Sequence, residues 1–205
     1  MDITPAFLMR MVRETLLAPR AAAAKMLNFG FAPIVGWMSL LLMAVASTVL
    51  THISFAMIPS ENLEMIPPES RELLEAAMGS PIRTAMLLWV VLLISVHGIH
   101  KVGRWRGGKG SLQGAVVLVA WLQFIWLCLQ IAQLVTQALL PPFSYVLGIF
   151  GPVLFLWLLT NFTAELHGFS SLGMTFLGII LTIIAVAVVV IYVSSLLTVA
   201  SATGG

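Results

Sequence analysis

Five long apolar runs, separated by short polar segments, constrain the fold of this chain more than any other feature of its sequence. Hydrophobic residues make up 60% of its 205 residues and charged residues only 9%, whereas soluble domains carry about 25% charged residues. A soluble core of this size could not hide so much apolar surface. The pattern therefore predicts an all-α integral membrane protein.

A helix needs about 20 residues to cross a bilayer, and each of these runs is about that long or longer. The five expected transmembrane helices are about 33–58, 82–100, 112–139, 143–164 and 172–200. Between the first two, the loop 59–81 is expected to hold a short helix over 69–78. We divide the chain into an amphipathic interfacial segment, 1–30, and a five-span membrane domain, 31–205.

The interfacial segment predicts a helix over 3–28 that lies on the membrane surface and is interrupted near Pro19. Its arginines fall opposite an apolar face, as suits the headgroup boundary. That face is formed by Phe7, Leu8, Met11, Val12 and Leu16.

Eight of the ten Lys and Arg residues lie in only two places, before the first run and between the second and third. Because basic residues are retained on the cytoplasmic side, the N-terminus is expected inside and the C-terminus outside. These residues should contact membrane lipid, and the net charge of +2 is not a nucleic-acid signature. The eight are Arg10, Arg13, Arg20, Lys25, Lys101, Arg104, Arg106 and Lys109.

A polar stripe follows one side of the third run. Its four glutamines fall within about 80° of arc at about 100° per residue, and unsatisfied amides do not face lipid. We favour hydrogen bonds between helices as their role, and a hydrated cavity, a partner-binding face or a substrate path is the alternative. The stripe consists of Gln123, Gln130, Gln133 and Gln137.

Histidine and carboxylate side chains collect at the inner ends of the second and fourth runs. His97 and His100 share one helix face, and Glu165 and His167 close the fourth run. Two histidines and a carboxylate can bind zinc, but nothing in the spacing is specific, so we favour a hydrogen-bond network in which Glu165 pairs with a histidine or Arg104. We therefore predict no metal site, and Cys128, the single cysteine, supports none.

The inner loop comes close to a phosphate-binding motif. Gly103 to Lys109 nearly matches G-x-x-x-x-G-K-[ST], but Gly110 stands where the motif needs Ser or Thr. The motif also needs a strand before it and an Asp for magnesium, and the only Asp is Asp2. We therefore predict a flexible basic hairpin that binds no nucleotide. Since no nucleophile–base pair or dinucleotide fingerprint occurs, no cofactor and no enzyme activity are expected.

The order of these segments resembles a known family. The features that carry the resemblance are Ala18-Pro19-Arg20 in the basic N-terminal helix, Gly107-Gly108-Lys109-Gly110-Ser111 leading to Trp121-Leu122-Gln123, and the segment from Asn161 to Phe169 before a small-residue turn. The chain resembles the bacterial branch of the Yip-one family, the Ypt/Rab-interacting membrane proteins. The resemblance implies a five-helix bundle without known catalytic residues, in the bacterial inner (cytoplasmic) membrane with a periplasmic C-terminus.

Eukaryotic members of that family bind prenylated Rab GTPases, but their Asp-Leu-Tyr-Gly-Pro hallmark is absent here, so Rab binding does not carry over. We expect a non-enzymatic accessory or scaffold protein that associates with another integral membrane protein, with itself or with lipid. The alternative is a small transporter, channel or lipid-moving protein that uses the glutamine stripe and Glu165. Against it, no break within a span and no repeat is evident. A third hypothesis, a membrane metalloenzyme, requires His97, His100, Glu165 and His167 to meet.

Overall fold

A computed structural model describes the backbone of residues 4–203, and the side chains of all of these except residues 60, 189–191 and 193–203. The elements in this part of the chain are all helices. In chain order they are α1 (Pro5–Leu17), α2 (Pro19–Asn28), α3 (Pro33–Ala56), α4 (Ser60–Glu64), α5 (Pro68–Met78), α6 (Pro81–Trp105), α7 (Leu112–Leu139), α8 (Pro141–His167) and α9 (Leu172–Thr203).

Prolines set most of the helix starts. Six of the nine helices begin at a proline, which fixes the helical φ angle and has no N–H to leave unpaired in the first turn. Hydroxyl caps mark the starts of α1 and α6, which also begin at a proline, and the start of α7. Thr4, Ser80 and Ser111 each accept a hydrogen bond from a backbone N–H three residues later.

The predicted helices agree with these bounds to within a few residues. Pro19 divides the N-terminal helix as expected, and the third span coincides with α7. The main differences are that α6 continues five residues beyond the apolar run to Trp105 and that α8 continues to His167. Lys101 and Arg104 therefore lie on α6, and the connection to α7 is only 106–111, shorter than the basic loop expected over 101–110. The short helix α4 was not predicted.

The sequence interpretation overlooked one proline within a span. Pro152 lies inside α8, directly after Gly151. It has no N–H with which to bond the carbonyl of Gly148 one turn earlier. The helix nevertheless runs continuously from Pro141 to His167, so this proline does not divide α8 into two half-helices.

Four helices of the described chain are long and apolar enough to cross a membrane: α3, α6, α7 and α8. The part of α9 whose side chains are described, Leu172–Val188, is also apolar but shorter. Residues 204 and 205, the last two of the predicted membrane domain, lie outside the described part of the chain. The protein thus has the architecture of a multi-pass membrane protein.

Helix α7 is the centre of the bundle. Its residues from Gly114 to Gln123 are all buried, and it packs most closely against α3 and α8, with α6 and α2 beside it. Helix α9 lies at the edge of the bundle, where it contacts mainly α8. The second half of α7 is less enclosed, so the tightest packing is at the end of the bundle that carries the basic residues.

The N-terminal helices dock on the bundle and do not only lie beside a membrane. Met11 and Thr15 are 2% and 0% exposed, whereas Leu16, which the sequence placed on the apolar face, is 41% exposed. The Thr15 hydroxyl donates to the Met11 carbonyl (2.8 Å) and accepts from the indole N–H of Trp121 on α7 (2.9 Å). The buried face of α1 is therefore rotated toward Thr15, because the hydrogen bond from Trp121 on α7 fixes the orientation of the helix.

We predict that Thr15→Val will release α1 from α7. The substitution keeps the volume but leaves the buried Trp121 N–H without an acceptor, which costs about 1–3 kcal/mol. The expected result is a lower apparent unfolding midpoint in detergent and faster proteolysis within the first 28 residues. Thr182→Val is the matched control, because the Thr182 hydroxyl bonds only to the carbonyl of Gly178 in its own helix. An equal effect of both substitutions would contradict the role of Trp121.

Candidate functional site

Three glycines enclose the imidazole of His167 at the basic end of the bundle. A Cβ atom at Gly103 would lie 2.1 Å from Nε2, one at Gly108 2.4 Å from Nδ1, and one at Gly110 2.7 Å from Cε1. Gly103 belongs to α6, and the other two belong to the connection to α7. Any side chain at these positions would have to displace the ring or move the backbone, so the glycines form a cradle for it.

Hydrogen bonds fix the His167 ring within this glycine cradle. Nδ1 accepts from the Gly110 N–H (3.2 Å), and Nε2 lies 3.1 Å from the Ile99 carbonyl, to which it can only donate. The ring is therefore neutral, with its proton on Nε2. The Lys109 N–H donates to the His167 carbonyl (3.2 Å), and Phe169 stacks on the ring.

The glycine-rich loop thus holds an imidazole where a phosphate-binding loop would hold a phosphate. Sequence reasoning expected a flexible hairpin and missed this contact. One signal was available, because three closely spaced glycines next to a helix end need a bulky neighbour or an unusual backbone. Of the three, none has a positive φ, whereas Gly107 between them has a φ of 85°, so close approach is what the three glycines provide.

Glu165 forms an ion pair with the N-terminal segment. The Arg20 Nε donates to Glu165 Oε2 (3.0 Å), and another guanidinium nitrogen donates to the Phe169 carbonyl (3.3 Å). The sequence suggested a histidine or Arg104 as the partner of Glu165, and this is corrected to Arg20, because α2 packs along the end of α8. A second ion pair, between Lys25 and Glu14, links α2 to α1.

Three of the four candidate metal ligands have separate partners elsewhere. His97 Nδ1 lies 2.8 Å from the Leu93 carbonyl, and its ring faces Trp37 of α3. Glu165 is engaged by Arg20, and His167 by the glycine cradle. Among the described residues, no group of three His, Cys, Asp or Glu side chains could hold a metal ion. The structure therefore does not assemble His97, His100, Glu165 and His167 into one centre.

The glutamine stripe faces neighbouring helices. Gln123 donates to the Ser47 hydroxyl (3.0 Å) and Gln130 to the Thr51 hydroxyl (3.1 Å), both on α3. The Gln133 amide lies on the side of α8, beside Gly148. The carbonyl oxygen of Gln130 is buried without a hydrogen-bond partner. Two of the four glutamines thus join α7 to α3.

The eight basic residues fall into two groups by their contacts. Arg20 and Lys25 are used in ion pairs, and Arg106 donates to the Met174 carbonyl at the start of α9 (2.9 Å). The other members of the set are exposed or half-exposed, and no ion pair engages them within the described residues. They are Arg10, Arg13, Lys101, Arg104 and Lys109.

These features define a class of protein: a multi-pass helical membrane protein whose inward polar groups connect helices. The chain belongs to the Yip1 family, since the family model for the Yip1 domain matches residues 13–193. The match covers most of the chain and confirms the resemblance to the Yip family. No match was found among curated proteins or among solved structures.

We predict that Gly103→Ala will destabilise the bundle and that Gly98→Ala will not. Both glycines lie in α6, but a Cβ at Gly103 would overlap the His167 ring, whereas one at Gly98 meets nothing within 4 Å. Overpacking costs about 1–3 kcal/mol, and Gly→Ala at an open helical site gains about 0.5–1 kcal/mol. Apparent unfolding midpoints in detergent measure both effects.

The double variant Gly103→Ala with His167→Ala tests whether the ring is the cause. Removal of the imidazole makes room for the new methyl group. His167→Ala should therefore lower the unfolding midpoint less in the Gly103→Ala background than in the unmodified protein. Additive losses would show that the glycine cradle is not what destabilises Gly103→Ala.

We also predict that Gln123 and Ser47 are energetically coupled. Interhelical hydrogen bonds of this kind contribute about 0.6–2 kcal/mol, so Gln123→Leu and Ser47→Ala should each destabilise the protein. A double-mutant cycle of unfolding free energies should give a coupling within that range. A coupling near zero would mean that the glutamine contributes only by packing.

Proposed function

We propose that the protein is a non-enzymatic membrane accessory or scaffold protein that associates with another integral membrane protein. The observation that carries this proposal is how its inward polar groups are used. Gln123 and Gln130 bond to α3, Trp121 bonds to α1, and His167 bonds to α6. Because these polar groups hydrogen-bond neighbouring helices together, they do not converge on a common point where a reaction could occur.

In this proposal, the protein is a five-span protein of a bacterial inner membrane with a cytoplasmic N-terminus. The basic end would then face the cytoplasmic leaflet, in keeping with the retention of basic residues on that side. The docked α1 and α2, the glycine-rich loop and the turn before α9 form one linked surface there. The exposed basic residues of that surface hold anionic headgroups.

At the opposite end, α5 offers a surface for a protein partner. It has no buried residue, and Leu73 is 73% exposed. The helix carries three glutamates, of which Glu75 accepts a hydrogen bond from Arg71 that raises the pKa of Arg71. An amphipathic helix that its own bundle does not cover is suited to an external contact.

The alternative, a small transporter, channel or lipid-moving protein, is favoured by one observation. The unpaired carbonyl oxygen of Gln130 lies within α7, deep between helices. A polar substrate path would need further polar groups along it. A cavity between α6 and α9 is instead lined mostly by apolar side chains, and of the stripe only Gln123 borders it.

The test of the scaffold proposal is gentle native extraction of the tagged protein, followed by mass determination and identification of its companions. We expect a stoichiometric membrane-protein partner that Leu73→Asn removes. Loss of an interface anchor typically costs about 1.4 kcal/mol or more, which is about a tenfold loss of affinity. Met9→Asn is the control, because Met9 is as exposed as Leu73 (75%) but lies in α1 at the basic end.

A lone chain or homo-oligomer that carries only lipid would contradict the scaffold proposal. Flux and lipid-movement assays in vesicles would then compare the unmodified protein with Glu165→Gln and Gln130→Leu. Loss of transport in Gln130→Leu with unchanged unfolding would establish the alternative.

A further inference from the structure

A narrow apolar crevice of about 450 Å³ opens between α6 and α9. Gly98 of α6 and Ile179 of α9 line its two sides, and Val119 and Phe155 of α7 and α8 form its floor. Its volume is within the range of about 300–1,000 Å³ that is typical of small-molecule sites. The crevice exists because α9 contacts mainly α8 and stands away from α6.

The length of this α6–α9 crevice suits a hydrocarbon chain. Along α9 it runs from Thr175 to Ala187, which is about 18 Å at about 1.5 Å per residue. That length is close to one leaflet, half of a hydrocarbon core of about 30 Å. A single hydrocarbon chain can lie along this length.

A positive charge stands at one end of the crevice. Arg106 lines it, donates to the Met174 carbonyl (2.9 Å) and lies over the Phe169 ring. A Cβ at Gly178 would fall 1.9 Å from an Arg106 guanidinium nitrogen, so Gly178 leaves the space in which the guanidinium rests. No carboxylate pairs with Arg106 among the residues whose side chains are described. Most of its five N–H donors remain for a ligand.

We propose that the α6–α9 crevice is a binding site for one phospholipid with an anionic headgroup. One acyl chain lies between α6 and α9, and the headgroup phosphate accepts hydrogen bonds from Arg106. The length of the crevice, its apolar lining and the charge at its mouth all match this ligand. The site is independent of any protein partner at α5, since the two lie at different ends of the molecule.

The first experiment is native mass spectrometry of the purified full-length protein in detergent, titrated with phosphatidylglycerol or with phosphatidylcholine of the same chain length. We expect one tightly retained phosphatidylglycerol. Gly98→Leu should reduce its retention at least about tenfold, because the new side chain enters the crevice without meeting an atom within 4 Å of its Cβ. Gly173→Leu is the matched control, since its Cβ is equally free and lies outside the crevice.

A second pair of variants tests the headgroup contact without filling the crevice. Arg106→Gln should lower the preference for phosphatidylglycerol over phosphatidylcholine about fivefold, the effect of one basic residue near an anionic surface. Arg104→Gln removes the same charge from an exposed position outside the crevice and should leave the preference unchanged.

Several outcomes would overturn the proposal. Equal effects of Gly98→Leu and Gly173→Leu, or of Arg106→Gln and Arg104→Gln, would mean that lipid binds the general surface. Equal retention of the two lipids would show that the site does not recognise an anionic headgroup. Binding of a second copy of the chain in place of lipid would show that the crevice is not a lipid site.

Discussion

The enclosure of one imidazole by backbone is the interaction on which the basic end of this protein depends. His167 ends α8, and the glycine cradle brings α6 and the loop before α7 against it. The ring can accept one backbone N–H and donate to one carbonyl only in its neutral form with the proton on Nε2. A phenyl ring would fill the space but leave both backbone groups unpaired. A lysine could donate to the carbonyl but could not accept from the backbone N–H. The same turn then carries Glu165 and Phe169, the acceptors for Arg20, so the position of the N-terminal segment follows from the position of this ring.

The helices of this chain could be predicted from sequence because their signals are local. The lengths of the apolar runs predicted the transmembrane helices. Prolines at helix starts, such as Pro19 and Pro33, marked most of the boundaries. The ends of α6 and α8 were misjudged, because a helix can continue beyond its apolar run through polar residues such as Lys101 or His167. Hydropathy does not register that continuation. The Gly151-Pro152 pair within α8 was overlooked, although both residues are plain in the sequence.

The candidate site was predictable in its residues but not in their partners. Glu165, His167 and the glycine-rich loop were all singled out, yet which of them meet depends on packing between segments more than 50 residues apart. Arg20 and Glu165 are 145 residues apart, and Thr15 and Trp121 are 106 apart. No periodicity within one helix encodes such a pair. The crevice between α6 and α9 is likewise a property of how two helices diverge, which neither helix reveals by itself.

The docking of α1 and α2 has a consequence for the order of assembly. These helices are synthesised before α7 and α8, to which Trp121 and Glu165, the residues that hold them, belong. Until both of those helices are in place, Thr15 and Arg20 lack their partners on the bundle, and an amphipathic segment of this kind rests at the membrane surface. Closure of the N-terminal segment therefore reports that α7 and α8 have been inserted, and an immature chain differs from a finished one by an exposed, protease-accessible N-terminus.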